Sequence, residues 1–142
     1  MMSGLRILLV EDNPGDVHLT KRAFRNQSVG LEIADDGDKA LARLQNEALD
    51  LPHMVLLDLN LPGMSGAEVL KAIRADPRLS RLPVVILTSS KAAEDLARVY
   101  DARTNAYLAK PRELAQYEEM ATAIDAFWRR WNIYPPPRAK KD

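Results

Sequence analysis

Four short stretches of this sequence end in side chains that together could handle a phosphoryl group. Glu11 and Asp12 close "VEDN", Asp58 stands in "LLDLNLPG", Thr88 and Ser89 follow "VVIL", and Lys110 precedes Pro111 in "YLAKP". Three acids crowded at one place repel each other and stay ionised only around a cation. No imidazole or thiolate is among them, so the ligands are hard oxygens. That set suits Mg²⁺, which keeps several waters and takes only one or two direct carboxylates. Lys110 adds a point charge for a phosphate oxygen, and Thr88 adds a hydroxyl donor. Around one carboxylate, these groups make a place where a phosphoryl group is accepted and its charge stabilised. The residues come from opposite ends of the chain, so everything depends on the elements between them.

Those elements alternate. "LRILLV" (5–10), "LEIA" (31–34), "HMVLLD" (53–58), "LPVVILT" (82–88) and "AYLA" (106–109) read as strands, several apolar enough to be buried on both faces. Between them lie helical patterns over 14–26, 38–47, 66–76 and 91–101, and a long last helix is expected over 112–131. Pro14 suits a helix start, Asp36 and Gly37 an entry turn, Ser65 a cap for the third helix, and Ser89 or Ser90 a cap for the fourth. Strands joined by helical crossovers lie parallel. The fold class is therefore α/β, a doubly wound five-stranded parallel sheet with helices on both faces. In such sheets, sites form beyond the carboxyl ends of the strands where the connection direction reverses. Glu11, Asp12, Asp58, Thr88 and Lys110 all fall at that rim.

Composition narrows the function classes. The 142 residues are 46% hydrophobic and 28% charged with a formal net charge of zero, an ordinary globular balance that argues against a nucleic-acid-binding surface. The absence of cysteine excludes disulfides, zinc thiolate sites and cysteine nucleophiles, and makes a reducing cytoplasm the expected setting. The start "MMSGLRILLVEDN" lacks the pattern of a signal peptide, and no apolar stretch is long enough to span a bilayer, so no membrane role is expected.

In this order and spacing, "VEDN", "LLDLNLPGMSG", "VVILTSS" and "YLAKP" resemble the receiver domains of two-component response regulators, a flavodoxin-like (βα)5 fold. The resemblance implies that Asp58 is the phosphoacceptor for a histidine kinase. It implies that Asp12, Asp58 and the backbone carbonyl of Asn60 bind Mg²⁺, with Glu11 acting through water. It further implies that Thr88 bonds the phosphoryl group, that Lys110 pairs with it, that Lys110–Pro111 is a cis peptide, and that Tyr107 is an aromatic switch. Such a protein catalyses its own phosphoryl transfer and dephosphorylation and is not a turnover enzyme on a separate substrate. "DLNLPG", Asn105, Phe127 and Trp128 resemble, more narrowly, the small regulators that serve bacterial phytochromes. Arg103 and Thr104 depart from the Gly-Ala pair that many receivers carry before the fifth strand.

The expected organisation is a receiver domain over 1–133 and an extended Pro-rich, basic tail over 134–142. With only "NIYPPPRAKKD" after the last helix, output by protein contact is expected. Leu114, Tyr117, Met120, Ile124, Phe127 and Trp131 form an apolar stripe, and Trp128 and Tyr134 extend it. That surplus suits a homodimer through the last helix and fifth strand, or else Trp128 and Trp131 fold back over their own neighbours. His18 and His53 lack a partner pattern and read as structural. An alternative function is a phosphorylation-independent dimeric scaffold, against which the crowded carboxylates speak. A phosphatase or flavin carrier on the same sheet is disfavoured because no glycine-rich loop follows the first strand and Asn60 stands where a second acid would.

Overall fold

The computed structural model describes residues 4–136, which fold as a five-stranded parallel sheet between two helical layers. In chain order the elements are β1 (Leu5–Val10), α1 (Pro14–Phe24), β2 (Val29–Ala34), α2 (Gly37–Gln45), β3 (Met54–Leu57) and α3 (Gly66–Ala75). There follow β4 (Val84–Thr88), α4 (Ala93–Asp101), β5 (Ala106–Ala109) and α5 (Leu114–Asp125), continued by a π-helical turn over Ala126–Trp131. The strand order is β2-β1-β3-β4-β5. The chain winds outward from β1 to β2 and then returns to build β3, β4 and β5 on the other side, which puts the switch point between β1 and β3.

Alternation along the strands sends successive side chains to opposite faces. Leu8, Val10, Val55, Leu57, Val84 and Ile86 join the core beneath α2, α3 and α4. Ile7, Leu9, Met54, Leu56, Val85 and Leu87 join the core beneath α1 and α5. Being apolar on both faces is what central parallel strands require. β2, an edge strand, is only half-buried along most of its length.

Helix starts follow capping chemistry. Asn13, and not Asp12, caps α1 by accepting from the Asp16 amide at 3.0 Å, which leaves the Asp12 carboxylate to the rim. Asp36 caps α2, and Ser65 caps α3 as expected. The expected serine cap of the fourth helix does not form: Ala92 takes that position without a side-chain bond. The Ser90 hydroxyl is engaged instead by Asp95 in the first turn, and its backbone carbonyl accepts from the Tyr107 hydroxyl at 2.7 Å.

The last helix also differs from its expected form. It changes register at Ala126, where Asn132 N donates to Phe127 O at 2.8 Å in the wider π pattern. The widening turns Trp128 onto the core beside Tyr117 and Ile124, and leaves Phe127 and Trp131 exposed at 51% and 73%. Tyr134 folds back with Trp128, its hydroxyl donating to Trp128 O and its ring 5.2 Å from His53. The rest of the expected tail, 137–142, lies outside the described residues.

The α4–β5 turn shows why a glycine would serve there. Arg103 holds φ at 69°, a left-handed conformation that costs a side-chain-bearing residue roughly 1–2 kcal/mol. The guanidinium of Arg74 donates to the Arg103 carbonyl at 3.0 and 2.8 Å, to Leu82 O at 2.6 Å and to Asn105 Oδ1 at 2.9 Å. Asn105 Oδ1 also accepts from Val84 N, so one amide ties the starts of β4 and β5 to α3.

Candidate functional site

Backbone hydrogen bonds carry the sheet one residue past its strands and so fix the site. Glu11 N donates to Ala34 O at 3.0 Å, Asp58 N to Val10 O at 3.0 Å, and Lys110 N to Thr88 O at 2.9 Å. Three of the predicted residues are therefore extensions of the ladder, held where the strand ends splay. The loop after Asp58 turns back through Gly63 at φ 70° and returns at Gly66, whose amide donates to Leu59 O at 3.0 Å.

The predicted acids converge. One carboxylate oxygen from each of Glu11, Asp12 and Asp58 lies within 4.8 Å of the others, with Glu11 and Asp58 buried and Asp12 exposed. Three hard-oxygen donors at this spacing, one of them open to water, fit a magnesium-like cation that keeps part of its hydration shell. Lys110 lies against the same cluster, its Nζ 2.5 Å from Glu11 Oε1 and 2.9 Å from Asp58 Oδ2. Asp58 Oδ1 accepts from Asn60 N at 3.3 Å. Thr88 is fully buried beside them.

One partner went unrecognised in the sequence. Asp16, in the first turn of α1, places Oδ2 2.8 Å from Lys110 Nζ. An acid there reads as an ordinary complement to the helix dipole, and only the packing of α1 near β5 shows its second use. The expected cis peptide at Lys110–Pro111 is corrected: no cis peptide occurs among the described residues, and Lys110 reaches all three carboxylates from a trans bond. His53 is structural, its Nδ1 accepting from Arg6 N at 2.8 Å, and burial lowers its proton affinity.

The electrostatics sort the acids. Burial pushes the Glu11 carboxyl up to about 7, and the neighbouring Asp58 charge adds to that, against hydrogen bonds from Lys110 and Asn13. At Asp58 burial acts in the same direction but is outweighed by the Lys110 and Thr88 hydrogen bonds, so it stays ionised below the usual carboxylate range. Burial opposes the charge on Lys110, and its bonds to Asp16, Glu11 and Asp58 more than restore it. The site thus holds a buried, ionised, hydrogen-bonded carboxylate beside a permanent cation.

Known proteins resemble this chain over most of its length. Residues 7–122 match the family model described as "Response regulator receiver domain". Over 136 residues the chain is 40% identical to the "Probable methanogenesis regulatory protein FilR2" of Methanothrix harundinacea, covering 92% of this chain and 88% of that one. It is 40% identical over 128 residues to the response regulator Rcp1 of Synechocystis, covering 86% and 87%. The Mn²⁺-bound form of Rcp1 superimposes with a TM-score of 0.84 at 38% identity, over 93% and 99% of the two chains. The phosphorylated cyanobacterial phytochrome response regulator RcpA does so with a TM-score of 0.87 at 35% identity, over 94% and 99%. With the strand order, the acidic rim and these likenesses in agreement, the chain belongs to the response regulator receiver domains.

Proposed function

We propose that the protein accepts a phosphoryl group on Asp58 from the phosphohistidine of a histidine kinase. The observation that carries this reading is the buried Asp58 carboxylate, kept ionised between Lys110 and the Asn60 amide within reach of Glu11 and Asp12. An Asp58 oxygen forms the new bond to phosphorus as the P–N bond to the kinase imidazole breaks, its electron pair leaving on the ring nitrogen. The product is an acyl phosphate, which water returns to carboxylate and phosphate. Glu11, Asp12, Asp58 and the Asn60 carbonyl would hold Mg²⁺, which supplies neutralisation of charge on the transferring oxygens. Lys110 pairs with one phosphoryl oxygen, and Thr88, at the end of β4, donates its hydroxyl to another. Burial of Asp58 excludes bulk water from the nucleophile.

The partner we infer is a phytochrome-type histidine kinase, because Rcp1 and RcpA combine high similarity with coverage of nearly the whole chain. Such a pairing places the protein in the cytoplasm; among the described residues no helix is long and apolar enough to cross a membrane. Output runs through Tyr107, whose hydroxyl is tied to Ser90 O at 2.7 Å in the same β4–α4 loop that follows Thr88. When Thr88 is drawn to the phosphoryl group, that loop moves and Tyr107 exchanges its partner, which alters the face of α4, β5 and α5. A homodimer through α5 and β5 uses the same face.

Intact mass after incubation with Mg²⁺ and acetyl phosphate tests the acceptor. The wild type gains one phosphoryl group and Asp58→Asn gains none; equal labelling of both would move the acceptor elsewhere.

A further inference from the structure

We propose that Asp16 is a displaceable counter-ion of Lys110, and that a phosphoryl group on Asp58 takes its place. The inference rests on Asp58 being the acceptor. An ammonium has three N–H donors and no more. Here all three are engaged, by Glu11 Oε1, Asp16 Oδ2 and Asp58 Oδ2 at 2.5, 2.8 and 2.9 Å. Lys110 can therefore donate to a new phosphoryl oxygen only by giving up one of the three carboxylates.

Burial decides which one leaves. Asp58 itself carries the incoming group and as the acyl phosphate stays beside Lys110, and the Glu11 side chain is buried, so giving up its ion pair with Lys110 costs more there than at an exposed position. The Asp16 side chain is 29% exposed, so water takes over its hydrogen bonds on release. Asp16 is also not one of the three clustered acids. It comes from α1 and not from a strand end, so it is free to change rotamer without disturbing the ladder bonds that fix Glu11, Asp58 and Lys110. In the unphosphorylated protein it holds Lys110 in position and completes its charge balance. On phosphorylation its charge faces the incoming dianion and opposes it. Asp16 is thus a positioning residue that sets how far the acceptor equilibrium lies toward the phosphorylated form.

The hydrogen bonds of residue 16 within α1 use its backbone. Its amide donates to Asn13 Oδ1 in the α1 cap, and its carbonyl accepts from Thr20 Oγ1 at 2.7 Å. Asp16→Asn keeps both and removes only the charge.

The test is calorimetric titration of the full chain with beryllofluoride, a stable mimic of the phosphoryl group, at saturating Mg²⁺ and pH 7.5. Asp16→Asn is expected to bind about fivefold more tightly than wild type, the scale of one charge at close range screened by water. The gain should shrink at high ionic strength, and Asp16→Glu should behave as wild type. Equal or weaker binding by Asp16→Asn, or a gain indifferent to salt, overturns the inference while leaving the acceptor reading intact. No binding by wild type beyond that of Asp58→Asn overturns the acceptor reading itself, and the inference with it.

Discussion

The Cβ that Gly66 lacks would lie 2.1 Å from the carbonyl oxygen of Asp58. The first residue of α3 is pressed against the backbone of the candidate acceptor, and the contact is with main chain that cannot rotate away. Gly66→Ala therefore forces α3 and the Asp58 loop apart. Overpacking of this kind costs about 1–3 kcal/mol, more than the roughly 1 kcal/mol that alanine gains over glycine in a helix. A lowered Tm together with slower labelling of Asp58 is expected. A variant as stable and as readily labelled as wild type would show that the loop yields freely.

Lys110 is the sole positive side chain recorded in an ion pair with Glu11, Asp16 or Asp58 among the described residues. Lys110→Ala leaves buried carboxylates uncompensated, a loss of about 3–5 kcal/mol. Because Glu11 and Asp58 could then be served by a metal ion, Mg²⁺ should recover part of the loss. Thermal melts at pH 8 with and without Mg²⁺ measure it. An equal destabilisation in both conditions would mean that the acids and the cation site are independent.

The metal-free protein should lose stability as pH rises between about 4.5 and 7. Glu11 has an ordinary value of 4.5 and stands at about 7 in the fold, so the folded chain holds this proton more tightly than the unfolded one. Its contribution is complete below pH 4.5 and gone above 7, at most about 3–4 kcal/mol at 1.36 kcal/mol per unit. Asp58, shifted downward, contributes stability at higher pH that is lost only below its ordinary 3.8. His53, also lowered, tilts the upper part of the same window the other way. The Glu11 part is accordingly read as wild type minus Glu11→Gln in denaturant titrations without divalent metal. Parallel profiles for the two proteins would contradict it.

The rim was legible in the sequence because parallel strands with apolar faces announce themselves, and their carboxyl ends then have only one place to go. Glu11, Asp12, Asp58, Thr88 and Lys110 were placed by that rule alone. Asp16 was not, since its pairing with Lys110 depends on how closely α1 approaches β5, a distance that no periodicity encodes. The Ser90 hydroxyl was assigned to a cap on local grounds and is held by Asp95. At Arg103 the sequence showed only a side chain where many receivers carry glycine; the left-handed turn, and the two donors of Arg74 that hold its carbonyl, belong to tertiary structure. The stripe on the last helix failed at Phe127 and Trp131 because a π turn shifts the register by a residue, and a 3.6-residue template cannot represent that.

That shift gives the last prediction its content. Trp128 and Tyr134 are absorbed by the chain's own core, so they no longer argue for a partner. Phe127, Trp131 and Ile133 remain, at 51%, 73% and 92% exposure, beyond the end of α5. Large exposed apolar groups rimmed by Arg129 and Arg130 have the make-up of an interface centre, where a buried tryptophan commonly contributes 2 kcal/mol or more. A dimer by light scattering at micromolar concentration is expected for the wild type, and at least a tenfold weaker one for Trp131→Ser. Tyr100→Ser, which removes an exposed aromatic of α4, should leave the association unchanged if the helix end is its centre. A monomeric mass for the wild type removes the dimer, and equal weakening by both variants moves its centre toward α4.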